Sequence, residues 1–262
     1  MVMNALATEF DQVLSRHLAR FSALTAEEAQ FLRPSALGPL RTAEARYDLI
    51  REGEAPRAVF LIVKGWACRY KMLEDGRKQI VGFLVPGDLC DLNNSLLVEM
   101  DHSLGAITRV HHVEIAHDVL KRLTEQHPGI ARALWIQLLA GLSIQREWTL
   151  NLGQRIAIER IGHLFCELFV RMRAVGLAEG GAFELPITQN DIADATGLTA
   201  VHVNRTLQEL RGRELINLHN RTLRILDFES LSDLSLFSPS YLHMQPEQAH
   251  AGAKPAIGIV AP

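Results

Sequence analysis

Ile187-Thr-Gln-Asn-Asp-Ile-Ala-Asp-Ala-Thr-Gly-Leu-Thr-Ala-Val-His-Val-Asn-Arg-Thr-Leu-Gln-Glu-Leu210 is the stretch from which the organisation of this chain is read. Thr188 stands before a short helical segment, with Asp191 three residues later. Its hydroxyl can take up an amide that the first turn leaves without a partner. Ile192 and Ala193 point inward, and small Ala193 lets a second helix approach closely. Gly197 falls where a tight turn between helices needs positive φ, which glycine adopts at little cost. Leu198 plugs the angle between the helices, and Thr199 caps the second one. Val203, Leu207 and Leu210 then give that helix a buried stripe at i, i+4 and i+7. The pattern predicts a helix-turn-helix. Downstream, Leu215-Ile-Asn-Leu218 and Thr222-Leu-Arg-Ile-Leu226 flank His219-Asn220-Arg221, which reads as strand, tight turn, strand. That is a wing, and the combination points to DNA binding.

The N-terminal part of such a second helix enters the major groove. With Val203 and Leu207 buried, Ala200, Val201, Asn204 and Arg205 face out. Arg205 can bond guanine O6 and N7 together or clamp a phosphate, and Asn204 can read adenine. Ala200 and Val201 offer apolar contact to thymine methyl groups. His202 is either a phosphate or base-edge donor or a solvated surface residue. Thr188, Gln189, Thr199 and Arg221 are candidates for phosphate contacts, which position without specifying. Acidic and basic residues nearly balance in this module, so affinity is expected to rest on orientation and on binding as a dimer.

Upstream, the period changes twice. The first 40 residues read as helical, with Phe10, Val13, Leu14, Leu18 and Phe21 at helical spacing. Thr25 and Glu28 form a capping box, and Pro34 ends that helix. From about residue 46 to 116, runs such as Ala58-Val-Phe-Leu-Ile-Val63 alternate with turns at Gly53, Gly65, Gly76 and Gly87, which predicts a compact antiparallel β domain. The helical period returns at Asp118. Pro128 opens a long helix whose Leu134, Trp135, Leu138, Leu142, Ile144 and Trp148 are too many for one stripe of a monomeric surface helix. A homodimer interface of Leu134, Leu138, Leu142, Gln145 and Trp148 is expected there. Gly153 fits a hinge. The next helix is amphipathic through Ile161, Leu164, Leu168 and Met172, with Arg171 and Arg173 placed to meet the negative end of its dipole. Residues 176–181 read as a loop. The division expected is 1–127 for helices and β sensor, 128–152 for the dimerisation helix, 153–230 for the reader, and 231–262 for a tail. From residue 238 the tail is expected to be poorly ordered, docked in part through Phe237, Tyr241 and Leu242.

Composition agrees and excludes. The chain has 262 residues, 48% hydrophobic and 22% charged, which is ordinary for a globular protein and excludes a mostly disordered one. Net charge is -3, so any nucleic-acid footprint must be local. Cys68, Cys90 and Cys166 are widely spaced with no CxxC, so neither a zinc site nor a disulfide framework is expected. The longest stretch without acidic or basic residues before the tail, 133–145, falls short of the ~20 residues that span a membrane. No secretory signal is read at the start, so the expected location is the cytoplasm. No nucleophile elbow, P-loop or HExxH motif points to an enzyme.

Leu49-Ile-Arg-Glu-Gly-Glu54, Ile62-Val-Lys-Gly65, Asp75-Gly76, Pro86-Gly-Asp-Leu89 and the whole 187–218 segment carry a family resemblance. In order and spacing they resemble the catabolite-activator/fumarate-nitrate-regulator (Crp/Fnr) family of bacterial transcription factors, over about residues 20–228. The resemblance implies an α+β fold: a cyclic-nucleotide-binding-like β-roll, a long dimerisation helix and a winged helix-turn-helix domain. It also implies a homodimer that reads a near-palindromic DNA site and contacts RNA polymerase.

The aligned effector pocket departs from the family's cyclic-AMP binders. Asp91 and Leu92 stand where those carry Gly-Glu, His102-Ser103 where they carry Arg-Ser, and Gln145 and Arg146 where they carry Thr-Ser. Loss of the arginine removes a charge-assisted clamp, and Leu92 cannot accept from a ribose hydroxyl. Cyclic AMP is therefore not expected to bind. Nor is an iron–sulfur cluster, since no cysteine precedes Cys68, nor haem, although His102, His111, His112 and His117 are present. No cofactor is expected, and an unknown small-molecule effector and regulation by abundance alone both stay open. The reading helix departs too: many relatives carry glutamate at the Val201 position, so a different half-site is expected here. The alternative reading is a ligand-binding or protein-interaction regulator whose winged helix does not read DNA.

Overall fold

The structure, a computed structural model, describes residues 12–92 and 94–244. Phe10 of the expected first helix and the tail beyond residue 244 lie outside the described residues. Three short helices open the described chain: α1 (Val13–Ala19), α2 (Ala26–Phe31) and α3 (Pro34–Leu37). The capping box forms as read, with the Glu28 amide donating to Thr25 Oγ1 (3.1 Å) and the Thr25 amide to the Glu28 carboxylate (2.9 Å). Pro34 follows the end of α2 and also starts α3, at a position where no amide is needed.

Eight strands follow: β1 (Leu40–Ala43), β2 (Asp48–Ile50), β3 (Ala58–Lys64), β4 (Ala67–Met72), β5 (Lys78–Leu84), β6 (Leu89–Cys90), β7 (Ser103–Ala106) and β8 (Val110–Ala116). They pair antiparallel in two four-stranded sheets, β1-β8-β3-β6 and β2-β7-β4-β5, that close into a roll. The unbroken apolar run of β3 has a physical reason. Phe60 and Ile62 face the inside of the roll, while Val59, Leu61 and Val63 face the helices packed outside. A strand buried on both faces has no polar alternation. Gly65 shows why the turns need glycine: its φ is +88°, and a Cβ there would lie 2.3 Å from the Arg109 carbonyl oxygen.

Helix α4 (His117–Gln126) leads into α5 (Pro128–Gly153), and α6 (Ala157–Ala174) follows. The break at Gly153 is braced. Arg155 donates to Glu147 and Asn151 Oδ1, both at 2.9 Å, and to the Leu236 carbonyl at 3.2 Å. The reader begins with α6 and continues through β9 (Ala178–Glu179), β10 (Ala182–Glu184), α7 (Gln189–Thr196), α8 (Ala200–Gly212), β11 (Ile216–His219) and β12 (Thr222–Ile225). The segment expected as a loop at 176–181 thus contains β9, which extends the wing into a four-stranded sheet, β11-β12-β10-β9. Strands of two and three residues are too short to show a period in sequence.

The boundary expected between residues 230 and 231 falls inside a helix, α9 (Phe228–Ser235), capped by Asp227. It packs on α6, where a Cβ at Gly162 would lie 2.9 Å from Ser235 Cβ. Residues 239–242 form a 3₁₀ turn, and the expected docking through Phe237, Tyr241 and Leu242 is present. Phe237 and Leu242 are buried, and the Tyr241 hydroxyl donates to Glu167 at 3.0 Å while its ring stacks on His163. No helix among the described residues is long and apolar enough to cross a membrane.

Candidate nucleic-acid interface

The first turn of α7 is held by a closed set of hydrogen bonds. The Asp191 amide donates to Thr188 Oγ1 (3.2 Å), and the Thr188 hydroxyl and amide donate to Asp191 Oδ2 (2.7 and 2.8 Å). Thr188 therefore has no hydroxyl proton to spare for a phosphate, which corrects its expected role. Thr199 differs: its oxygen accepts from the His202 amide at 3.2 Å, which leaves its proton available. Gly197 is left-handed at φ +65°, as the turn requires. Val203, Thr206, Leu207 and Leu210 are buried.

The opposite face of α8 is open. Val201 is 77% exposed, and His202, Asn204 and Arg205 are exposed around it. Gln208, one turn beyond Asn204, lies on the same exposed face, a residue the sequence reading did not single out. The side chains of Arg205 and Arg221 make no hydrogen bond or ion pair among the described residues. The wing turn places Asn220 and Arg221 both at positive φ, +49° and +58°, the pattern of a two-residue type I′ hairpin. Arg221 thus projects at the tip, and its carbonyl, accepting from the Leu185 amide at 2.7 Å, ties the wing to the body of the reader. Gln189 Oε1 accepts from Asn204 Nδ2 at 3.3 Å, which leaves its two Nε2 hydrogens available to a phosphate.

The reader is also seated on the roll. Arg46, at the turn after β1, donates to both Asp191 carboxylate oxygens (2.9 and 3.2 Å). Burial pushes the Asp191 carboxyl up, but the Arg46 guanidinium and the Thr188 donors outweigh it and hold it below the usual range. Deeper, the buried Arg171 donates to Asp88 (2.6 Å), to the Phe83 carbonyl (2.9 Å) and to Glu167 (3.1 Å). Its expected task at the helix dipole is secondary to these three bonds. One continuous apolar cluster joins Trp66, Ile80 and Phe83 of the roll to Phe165, Leu207 and Leu231 of the reader.

The aligned pocket residues come together only in part. Asp91 accepts from Arg69 Nε (3.0 Å) and sits 3.2 Å from His102 Nε2, while His102 Nδ1 lies 2.7 Å from Asp101. Burial works against ionisation of Asp91, yet Arg69 and His102 together bring its carboxyl down to about 2. Burial likewise lowers His102, but Asp91 and Asp101 prevail and raise it. Ser103 Oγ accepts from the Glu52 amide, and Leu92 is buried. Gln145 reaches the pocket wall, donating to the Val81 carbonyl (2.6 Å). Arg146 turns away and donates to Ser143 (2.8 Å), so it does not belong to the pocket. Arg69, absent from the sequence reading, supplies the cation that pairs with Asp91.

On α5, Leu134 and Trp148 are each 6% exposed, buried within their own chain. Trp148 packs on Phe83 and donates its indole N–H to Glu167 at 3.1 Å. Neither is available to a partner, which corrects the expected interface. Leu138 is half-buried and Gln145 exposed, while Trp135, Leu139 and Leu142 form an exposed stripe at i, i+4 and i+7. All three cysteines are buried; burial pushes the Cys68 thiol to about 11 and the Cys166 thiol to about 12. No cluster of metal-ligating side chains occurs among the described residues.

A β-roll, a long helix and a winged helix-turn-helix with an open reading face define a DNA-binding regulator. Family models agree: the cyclic nucleotide-binding domain matches residues 40–127 and the Crp-like helix-turn-helix domain residues 159–234. A "Probable transcriptional activator" of Rhizobium leguminosarum bv. viciae is 31% identical over 73% of this chain and 79% of that one. The transcriptional activator protein FnrL of Cereibacter sphaeroides is 30% identical over 73% and 78%. The structure of FixK2 from Bradyrhizobium japonicum superposes with a TM-score of 0.67 at 26% identity, over 75% of this chain and 96% of that one. The chain belongs to the Crp/Fnr family of transcription regulators.

Proposed function

We propose that the protein acts as a cytoplasmic homodimer that reads a near-palindromic DNA site, contacts RNA polymerase and has no enzymatic activity. The observation that carries the dimer is the stripe of Trp135 (62% exposed), Leu139 (55%) and Leu142 (50%) on α5. An apolar helix face in water favours a second copy, and two-fold symmetry then sets two α8 helices on successive major grooves. The activator names of the relatives support engagement of RNA polymerase. Sedimentation tests the dimer: Leu139→Glu is expected to give a monomer with weakened DNA binding. A wild-type chain that sediments as a monomer at micromolar concentration sinks this reading.

DNA binding on this reading does not require cyclic AMP or another cofactor. Arg69 and His102 are both paired with Asp91, whose carboxylate would repel a cyclic phosphate, and Leu92 offers a ribose hydroxyl no acceptor. These residues do not fit the nucleotide. Titration calorimetry is expected to show no heat with cyclic AMP at micromolar protein, and selection of genomic fragments by the purified protein alone is expected to recover a palindrome. Saturable micromolar binding of cyclic AMP overturns the pocket reading while leaving the DNA reading intact.

A further inference from the structure

We infer that Gln189 is a specificity-determining positioning residue: its carboxamide holds the Asn204 amide in the orientation that reads adenine. The inference rests on the DNA-reading face of α8. Gln189 is the first residue of α7, and Asn204 lies in the second turn of α8. Both are exposed on the same side of the helix-turn-helix, and Asn204 Nδ2 donates to Gln189 Oε1 across the gap between the helices (3.3 Å).

The chemistry follows from counting hydrogens. An asparagine amide carries two N–H donors and one acceptor oxygen. With one hydrogen given to Gln189, Asn204 keeps one N–H and Oδ1. That is the pair adenine demands, since N7 accepts and the exocyclic N6 donates. In the flipped amide, with Oδ1 facing Gln189, two N–H groups would point outward instead. That suits the two acceptors of guanine, N7 and O6. An exposed amide without a neighbour exchanges these orientations freely and discriminates poorly. Gln189, with its Oε1 turned toward Asn204, favours one of these orientations before DNA arrives, so part of the ordering cost is met before binding. Val201 lies one turn before Asn204 and Arg205 directly after it, so the fixed amide sits between an apolar reader and a cationic one.

Selection of random duplexes by the full-length protein tests this, with Asn204→Ala, Gln189→Ala, Gln189→Glu and Gln189→Lys beside the wild type. The wild type is expected to prefer adenine at one half-site position by roughly 5- to 150-fold, the range for a good bidentate contact. Asn204→Ala and Gln189→Ala should each flatten that position alone, and the double variant should do no more than either. Gln189→Glu can only accept, so it should keep adenine while binding all sites more weakly beside the phosphates. Gln189→Lys can only donate, so it should turn the amide and move the preference toward guanine. A Gln189→Ala variant that weakens all sequences equally, with the base preference unchanged, would overturn the inference and make Gln189 a backbone contact. Preference at that position surviving Asn204→Ala would overturn it as well. Failure of the wild type to enrich any motif would instead overturn the DNA reading beneath it. Both side chains are exposed, so melting temperature checks that each variant folds.

Discussion

Arg205 stands exposed on α8 with no partner among the described residues, so its five donors are available to a guanine edge or a phosphate. Arg205→Ala is expected to cost ~1–3 kcal/mol of binding and to relax one base pair of the half-site. Fluorescence anisotropy against a panel of single-base variants reads both effects, and a uniform loss across the panel would assign Arg205 to the backbone. His163 is the opposite case, a residue closed in on every side. Burial, with Arg155 nearby, lowers its pKa from 6.5 to about 3. Tyr241 stacks on it, Phe237 meets its edge, Asn151 bonds Nδ1, and the Glu147 carboxylate lies 3.7 Å from Nε2. Below pH 6.5 the unfolded chain binds a proton that the folded one refuses, so stability falls with pH until about 3. Above 6.5 the ring is neutral in both states and contributes no slope. Urea unfolding across that window is expected to show the decline, and His163→Phe to make it shallower. The stripe Val203, Leu207, Leu210 was legible at this scale because a buried face repeats with the helix. Gln189 and Arg171 were not, because their partners lie on other elements and sequence spacing carries no trace of them.

Elements with a strong internal pattern were read correctly, and those defined by a partner were not. The apolar run of β3 and the four turn glycines are local signals, and each has its place in the roll. The long helix α5 was read as broadly apolar, which it is, but its faces could not be apportioned. Trp148 goes inward because Glu167 offers its indole an acceptor and Phe83 offers it a ring, whereas Trp135 has neither and stays exposed. In the C-terminal element, docking through Phe237, Tyr241 and Leu242 was legible from their apolar side chains, but the partner they meet was not. Only its docked state explains Tyr241, whose hydroxyl supplies the buried Glu167 carboxylate with one of its donors. Burial pushes that carboxyl up, and Arg171, Trp148 and Tyr241 act against the push. Tyr241→Phe removes one donor from a buried acid and is expected to cost about 1–3 kcal/mol. Chemical denaturation measures it; an unchanged midpoint would mean that the segment after α9 does not hold the bend between α5 and α6.

At the scale of the whole molecule, sensor and reader are one cooperative body. They share a single apolar cluster, and Arg171 of the reader's first helix is buried in the roll against Asp88 and Phe83. Arg46 and Gln79 fasten α7 to the roll surface, the latter through the Ala195 carbonyl at 3.4 Å. A hinge at Gly153 that left the two halves independent would expose this apolar cluster to water and break the Arg171–Asp88 and Arg46–Asp191 pairs. Differential scanning calorimetry at fixed protein concentration is therefore expected to show one transition, not a separate one for each domain. Arg171→Met sharpens the test. It leaves the buried Glu167 without its cation and Asp88 with only the more distant Arg20, 3.9 Å away, and His17, 3.4 Å away, which costs ~3–5 kcal/mol and lowers that transition by ~6–20 °C. If the halves were independent, the substitution would lower one of two peaks and leave the other in place. Two resolved peaks in the wild type would show that the joint is too weak to transmit anything. A single peak that moves as a unit makes the roll–reader joint, rather than a free hinge, the element through which any signal in the roll must reach α8.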